Sequence, residues 1–291
     1  MRKFVLRITA FFIYICVIFS VHALNWPSEN AALVRNFGSN DRGMPVLGMV
    51  FSGGTDILAA ESGEIIFSRK KNDNASRLPS PLGAWTAIDH GDGLISIYSR
   101  YADPVNPVTE TQIEKQQAIA SSGVSGWSAQ NGFYFMLFDR RERRWINPSM
   151  IITPQRETRP PQILTIDLRN SQGLTMQSYN LTQGRYKVIV NAVGGVPLSP
   201  SAISRQFAPQ KIVCLINGTE VSSLSFEAVS ARDGVLMVSR NGLVSAKQIY
   251  SGFPSFEAAE VFLTRGQVTM EIIVQDVSGA TRTAVNRLYI N

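Results

Sequence analysis

The sequence predicts an all-β fold arranged as two antiparallel β domains, and three observations support this. Apolar segments are short and are separated by Gly, Pro, Asn and Asp, which is typical of strands and turns. No stretch after Ala23 repeats apolar residues at helical spacing over three turns. A charged, proline-rich segment over 153–161 interrupts the pattern and is typical of an extended linker. With 44% hydrophobic and 17% charged residues, the 291-residue chain is too apolar to be disordered.

The first element, residues 1–23, has the composition of a secretory signal peptide. Arg2, Lys3 and Arg7 precede a nearly unbroken apolar run over 8–21, and Val21-His22-Ala23 has the spacing of a cleavage site. The apolar run is short for a membrane-spanning helix. We therefore expect export to the periplasm or cell envelope. The alternative is an uncleaved N-terminal anchor, which would then be the chain's only membrane contact.

Charge and residue counts exclude several classes of function. The chain has a net charge of +6, but three of its 28 basic residues lie in the leader, so 25 remain against 22 acidic residues. This mild excess, without a recognition motif, argues against nucleic-acid binding. After the leader only one histidine, His90, and one cysteine, Cys214, remain. A zinc site made of histidines or thiolates cannot be assembled from them.

Four strands and one short helix are predicted before the linker. Strands are predicted over Gly63–Lys70, Trp85–His90, Leu94–Tyr101 and Gly132–Phe138, and the second and third form a hairpin around Gly91-Asp92-Gly93. The only helical candidate is Thr109–Lys115.

After the linker, strands are predicted at short and regular spacing. Arg185–Ala192 alternates well, and Asn217-Gly218 joins Lys211–Ile216 to Thr219–Val229 as a type I′ hairpin. A second hairpin joins Val268–Asp276 to Ala280–Ile290. About seven short strands in roughly 130 residues predict an immunoglobulin-like β-sandwich.

The predicted organisation is therefore a signal peptide over 1–23, a first domain over 24–152, a linker over 153–161 and the sandwich over 162–291. The single remaining cysteine, Cys214, lies in an apolar run and is expected to be a small core residue.

Six segments of the first domain carry a family pattern in order and spacing. They resemble H-x-G-x-D-I, A-x-x-G-x-V, I-x-H-G-x-G followed by T-x-Y-x-H-L, V-x-x-G-Q-x-I-G-x-S-G, H-L-H-F-E and V-N-P. In this sequence they begin at Ser52, Ala60, Ile88, Ile113, Gly132 and Ile146. The domain resembles the LytM or lysostaphin-like peptidoglycan peptidases, metallopeptidase family twenty-three, over residues 49–152.

The resemblance implies a His, Asp, His zinc site with two further catalytic histidines, but the histidines are replaced here. The first ligand falls on Ser52, and the aspartate ligand is retained as Asp56. The histidine of Y-x-H-L falls on Arg100. The pair in H-L-H falls on Gly132 and Tyr134, or on Phe133 and Phe135 if the match slips by one residue, and the glutamate after them becomes Met136. His90 matches a family position that is not a ligand.

These residues do not suit a hydrolytic zinc ion, which needs about three protein ligands and an open position for water. Asp56 alone cannot hold zinc, and a guanidinium at Arg100 repels a divalent cation. We therefore predict no metal, no cofactor and no catalytic residue. Arg100 is expected either to form an ion pair with Asp56 or to point to solvent.

Other candidates for binding are one histidine and three aromatic residues, which the resemblance places in or around the substrate groove. They are His90, Tyr98, Tyr101 and Trp127. The alternative for the tyrosines is a place in the core. A basic cluster over Arg140–Arg144 is either a contact for an anionic polymer or a solvated hairpin tip.

The resemblance and the missing ligands predict a non-catalytic envelope protein. We expect its zinc-free domain to bind peptidoglycan or to regulate a cell-wall hydrolase of the amidase type, as the resemblance implies. Two alternatives remain open. One is an active metallopeptidase with non-standard ligands, and the other is a structural or adhesive module in which the sandwich is the working part.

Overall fold

The computed structural model describes residues 23–54, 56–70, 79–104, 111–128, 130–152, 158–176, 181–197, 207–250, 252 and 254–291. The predicted leader, apart from Ala23, lies outside these residues. Within them, no helix has the length and apolar character needed to cross a membrane.

The first half of the chain consists of twelve strands and a single-turn 3-10 helix within the described residues. The strands are β1 Ala32–Arg35, β2 Asn40–Asp41, β3 Met44–Pro45, β4 Met49–Ser52, β5 Asp56–Leu58, β6 Gly63–Arg69, β7 Ala84–Asp89, β8 Leu94–Tyr101, β9 Gln112–Ile113, β10 Ala118–Ser121, β11 Gly132–Asp139 and β12 Arg144–Ile146, and the 3-10 helix is Pro148–Met150. The four strands predicted here are confirmed as β6, β7, β8 and β11.

The predicted helix over Thr109–Lys115 is wrong for its described part. Gln112–Ile113 forms β9, which pairs antiparallel with the start of β6 at Gly63 and Glu64. A seven-residue segment is too short to hold a helix by itself, so pairing with an exposed sheet edge satisfies its backbone better.

The second half is a two-layer antiparallel sandwich. Its strands are β13 Thr158–Arg159, β14 Gln162–Arg169, β15 Thr175–Met176, β16 Gly184–Val193, β17 Val196–Pro197, β18 Lys211–Ile216, β19 Thr219–Arg232, β20 Val235–Arg240, β21 Leu243–Ser245, β22 Phe256–Leu263, β23 Gly266–Gln275 and β24 Thr281–Ile290, with a short helix α1 Ala246–Ile249. One layer has the order β15-β14-β16-β22, and the other contains β24-β23-β18-β19 with β20 and β21. The predicted all-β fold and immunoglobulin-like sandwich are confirmed.

A predicted turn and a predicted core residue of the sandwich are both found in the structure. Asn217 and Gly218 both have positive φ, 50° and 78°, as the predicted type I′ turn requires. Cys214 is a free, buried thiol among the apolar side chains of the sandwich core. Burial raises the pKa of this thiol to about 12, so it is an unreactive core residue.

The two halves share one continuous sheet, which the sequence did not predict. β12 pairs antiparallel with β19, so Trp145 lies opposite Val229. Phe37, which precedes β2, is buried in the core of the sandwich. Asn36 also donates a hydrogen bond to the Ala208 carbonyl and accepts one from the Ala208 N–H, both 2.8 Å long. Backbone pairing and side-chain burial therefore join the halves independently of the predicted linker, whose residues 153–157 lie outside the described residues.

Candidate functional site

Three of the predicted site residues lie together on one face of the first sheet. β4 pairs with β11, so Ser52 lies opposite Gly132 and Val50 lies opposite Tyr134. Alternate residues of a strand share a face, which places these four residues on the same side of the sheet. We call this side the site face. Phe133 and Phe135 belong to the opposite face and are buried in the core of the first domain.

A β-bulge at the end of β8 places Arg100 on the site face. Ala84 pairs with Tyr101 and Trp85 with Ser99, which leaves Arg100 as the extra, unpaired residue of β8. Its φ is 65°, and its guanidinium carbon lies 4.9 Å from the centroid of the Tyr134 ring. Its backbone N–H donates a 2.8 Å hydrogen bond to the Leu82 carbonyl. A bulge re-aims the side chain of the extra residue, and here it turns Arg100 towards Tyr134.

The ion pair between Arg100 and Asp56 is not formed. Asp56 is exposed at the start of β5, which pairs with β10 in a separate two-stranded sheet. Within the described parts of the chain, no ion pair or hydrogen bond is formed by the Arg100 guanidinium, and its Nε is buried without an acceptor. The alternative, in which Arg100 points to solvent, holds in part: the side chain lies half-buried over Tyr134, but its two terminal nitrogens are not buried.

The ring of Tyr134 is buried in the middle of the site face. Its side chain is packed with Val46, Leu47 and Met136, and its hydroxyl accepts a 2.8 Å hydrogen bond from the Leu47 N–H. Burial raises the pKa of Tyr134 well above its usual value, and this outweighs the Leu47 hydrogen bond and the charge of Arg100. The phenol therefore stays neutral and is not available as a metal ligand.

Gly132 leaves no room for a side chain. A Cβ atom built on this residue would lie 2.0 Å from the Phe51 carbonyl oxygen. Adding an imidazole at this position would require the backbones of β4 and β11 to move apart.

The residues on the site face do not fit the zinc ion that the resemblance implies. A glycine held against backbone, a neutral buried phenol, a serine and a guanidinium provide no set of three zinc ligands. Across the described ranges, no group of three or more His, Cys, Asp or Glu residues could hold a metal ion. No step involving zinc follows from this site.

His90 is held by two hydrogen bonds at the turn between β7 and β8. Its Nδ1 lies 2.7 Å from the Ser62 carbonyl oxygen, so Nδ1–H donates and Nε2 accepts from the Ser96 hydroxyl, also at 2.7 Å. Burial lowers the pKa of His90 and outweighs the opposing Ser62 hydrogen bond. His90 is therefore a neutral residue that ties a turn to the sheet rather than a ligand for substrate.

The two candidate groove tyrosines on β8 are core residues. Tyr98 is fully buried, and its hydroxyl accepts a 2.8 Å hydrogen bond from the Ala60 N–H. Tyr101 is also fully buried, and its hydroxyl lies 2.6 Å from the Thr86 hydroxyl. Their assignment to a binding groove is wrong because β8 turns them to the opposite face from Ser99, which pairs with Tyr134.

Trp127 is 76% exposed and lies on a loop with a well-defined anchor. Gly123 and Gly132 exchange two backbone hydrogen bonds at the base of this loop, and the Trp127 N–H donates to the Pro81 carbonyl at 3.1 Å. A Cβ on Gly126 would lie 2.4 Å from the Gly83 nitrogen, so the loop backbone is pressed against residues 81–83.

The same short segment therefore supports both Arg100 and Trp127. Arg100 is bonded to the Leu82 carbonyl and Trp127 to that of Pro81. Sequence reasoning proposed Trp127 as a groove residue but could not show that its backbone and that of Arg100 bond to adjacent carbonyls. The sequence signal for this shared support is the glycine spacing at 83, 123 and 126.

The basic cluster Arg140–Arg144 is the turn between β11 and β12, and much of its charge is compensated. Arg140 lies 3.3 Å from Asp89, Arg141 lies 3.0 Å from Asp92, and Arg144 lies 3.5 Å from Asp139. All four arginines are exposed. This turn is at the far end of β11 from Gly132, so the cluster is a solvated hairpin tip outside the site face.

A comparison with protein families supports a LytM-like fold for the first domain. The family model for peptidase family M23 matches residues 47–148, about a third of the chain. A second family model, which has no functional description, matches residues 160–291. No curated protein matches.

Several solved structures are similar at low identity. The SpoIIQ–SpoIIIAH pore-forming complex contains a chain that is 21% identical, with 46% of this chain and 92% of that chain covered and a TM-score of 0.37. The catalytic domain of the prophage-encoded M23 protein EnpA from Enterococcus faecalis is 18% identical over 43% of this chain and 95% of that chain, with a TM-score of 0.36. The antimicrobial peptidase lysostaphin from Staphylococcus simulans is 15% identical over 89% and 94% of the two chains, with a TM-score of 0.35.

Proposed function

Because residues 47–148 form a LytM-like domain whose zinc-binding histidines are replaced, we propose that the protein is a non-catalytic component of the cell envelope that binds peptidoglycan. The observation that carries this proposal is the composition of the site face. Arg100, Gly132 and Tyr134 occupy the positions of three family histidines, and none of them can replace those histidines in binding a cation or in proton transfer at neutral pH.

The exposed surface beside the site face supports a binding role. Trp127 is 76% exposed and Val124, on the same loop, is 46% exposed, although the loop is anchored by backbone hydrogen bonds. Aromatic side chains presented on a fixed backbone are suited to contacts with sugars and peptides. The same apolar pair would also suit a protein surface, so docking of a cell-wall hydrolase of the amidase type is the second candidate.

The test is a sedimentation assay of purified residues 24–291 with insoluble peptidoglycan, combined with zinc analysis and a search for released muropeptides. We expect the protein to sediment with the polymer, to contain no stoichiometric zinc and to release no muropeptide. Stoichiometric zinc together with cleavage would instead show an active metallopeptidase with non-standard ligands.

Point variants of the whole chain are better reagents for this assay than separated domains. Phe37 of the first half is buried in the sandwich core and β12 pairs with β19, so cutting the chain at the linker would expose both surfaces. If Trp127→Ala leaves sedimentation unchanged, the sandwich becomes the binding part, as expected of an adhesive module. If the protein does not sediment but changes the rate of a cell-wall amidase, the regulatory candidate is favoured.

A further inference from the structure

We propose that Arg100 and Trp127 form a recognition site for a carboxylate-bearing peptide of peptidoglycan, with the Arg100 guanidinium binding the carboxylate. The position that holds a cation in the family would thus hold an anion in this chain. This inference rests on the proposed function and adds to it the chemical class of the ligand and the residue that recognises it.

The first observation is a positive charge without a partner. Arg100 is half-buried and forms no ion pair with the described residues; its Nε is buried without a hydrogen-bond acceptor, while its two terminal nitrogens remain accessible to a ligand. Buried or partly buried charges are normally paired, because a donor removed from water without a new acceptor is unfavourable. A guanidinium left in this state is suited to an anion that arrives with a ligand.

The second observation is the backbone at Arg100. Within the described residues, eight residues other than glycine have positive φ, and Arg100 is the only one that lies inside a strand. The others lie in turns, where this conformation is common. Such a backbone is unfavourable for a residue with a side chain and is found preferentially at binding and catalytic sites. Here it belongs to the bulge that turns the guanidinium to the site face.

The third observation is the support beneath the guanidinium. The ring of Tyr134 lies 4.9 Å from the guanidinium carbon and is itself fixed by the Leu47 hydrogen bond. A guanidinium over an aromatic face keeps its charge and its N–H donors while its position is restricted. Planar donors in a fixed orientation match the two oxygens of a carboxylate.

Trp127 supplies the apolar part of the same site. Its loop and Arg100 are bonded to adjacent carbonyls, those of Pro81 and Leu82. An indole that is 76% exposed on an anchored loop can stack on a sugar ring or a peptide plane. A peptide that carries a carboxylate and is attached to a sugar could therefore contact both residues.

The number of cationic side chains available at this face favours a carboxylate over a phosphate as the ligand. Arg35, which lies opposite Val50, is already paired with Asp41 at 2.7 Å, whereas Arg100 forms no ion pair with the described residues. One guanidinium matches the single charge of a carboxylate, whereas phosphate sites commonly combine several cations or backbone N–H groups.

The test measures binding of two probes to purified residues 24–291 by calorimetry and tryptophan fluorescence. One probe is a soluble muramyl tripeptide with free carboxylates, and the other is the same compound with its carboxylates converted to amides. We expect the free acid to bind about 10- to 100-fold more tightly than the amide, because a hydrogen bond to a charged group has that effect on affinity. Arg100→Gln should abolish the difference, and Trp127→Ala should weaken both probes by the same factor.

Matched controls are exposed residues away from the site face. Arg143→Gln removes an exposed arginine from the hairpin tip, and Tyr289→Ala removes an aromatic residue that is 66% exposed on β24 of the sandwich. Both should bind the two probes as the unchanged protein does. Thermal unfolding followed by circular dichroism checks that each variant is folded.

Three results would overturn the inference. The first is equal affinity of the unchanged protein for the acid and the amide, and the second is a preference for the acid that survives in Arg100→Gln. The third is displacement of the tripeptide by inorganic phosphate at much lower concentration than by acetate, which would assign the site to phosphate. If the protein sediments with insoluble peptidoglycan but shows one of these results, the proposed function stands without this inference. If it does not sediment at all, both fail.

Discussion

Glu257 in the sandwich and Arg100 in the first domain are both charged residues within β-structure, but their surroundings are opposite. The Glu257 side chain is 2% exposed and accepts hydrogen bonds from Lys187 at 2.8 Å, Arg240 at 2.9 Å and Gln248 at 2.7 Å. The Arg100 guanidinium has no such partner among the described residues. The comparison separates a charge that holds the fold together from a charge that is available to a ligand.

The reason for the difference is the number of elements that converge on each charge. Glu257 on β22 is reached from β16, β20 and α1, so its carboxylate joins four elements of the sandwich. Among the described residues, the interaction recorded for the Arg100 side chain is with the aromatic ring of Tyr134, which offers a π face but no acceptor. Removing each charge should therefore affect stability very differently.

The largest expected effect is that of Glu257→Ala. This change leaves Arg240, whose side chain is 10% exposed, without its carboxylate partner and with only the backbone carbonyl of residue 257 as an acceptor, and we expect the free energy of unfolding to fall by about 3–5 kcal/mol. Urea denaturation measures the difference. The matched control is Glu260→Ala on the same strand, where the pair with Arg185 is exposed and 3.6 Å long, and a loss below about 1 kcal/mol is expected. Equal losses in the two variants would contradict a structural role for Glu257.

The second expected effect is a pH dependence that originates at Glu257. Burial raises the pKa of this carboxyl, but the hydrogen bonds from Lys187, Gln248 and Arg240 outweigh burial and bring the pKa below its usual value. A depressed folded-state pKa stabilises the fold above the unfolded pKa of about 4.3, and this stabilisation is lost as the pH falls through the folded-state value.

Unfolding measurements from pH 7 to pH 3 test this, with Glu257→Gln as the comparison. The stability difference between the two proteins should be constant near neutral pH and should narrow below about pH 4. A difference that widens on acidification would mean that the carboxyl is not stabilised in its charged form.

The smallest expected effect is that of Arg100→Gly. Glycine accepts a φ of 65° without strain, and the change removes a buried N–H that has no acceptor, while it also loses the contact with the Tyr134 ring. We expect these contributions to offset each other to within about 1 kcal/mol of unfolding free energy. Arg240→Ala, which removes a structural arginine, should cost about 3 kcal/mol or more in the same assay. A comparable loss for Arg100→Gly would show that Arg100 is also structural.

Local patterns were sufficient for much of the fold. The alternation in β8 and β16 and the Asn217-Gly218 turn specify strands and a hairpin from neighbouring residues alone. The short helix expected around residue 112 was wrong because its choice between helix and strand depended on a distant partner, the edge of β6 at Gly63.

The candidate site was also predicted only in part, because some of its features depend on distant strands. The replacement of histidines by Ser52, Arg100, Gly132 and Tyr134 could be read directly from the family spacing. The sequence left open whether Tyr98 and Tyr101 lie in the groove or in the core, because two residues three apart in a strand share a face only if an extra residue, here Arg100, lies between them.

The sequence by itself therefore determined that the chain is all-β and that the family's zinc-site histidines are replaced in the first domain, because strand periodicity and residue identity are local properties. Only the tertiary structure decided that Arg100 lies over Tyr134 without an ion pair to the described residues, that Trp127 shares its support, and that β12 and β19 join the two halves. Each of these depends on which distant backbones pair and in what register, and the free energy of that pairing comes from contacts that no single segment contains.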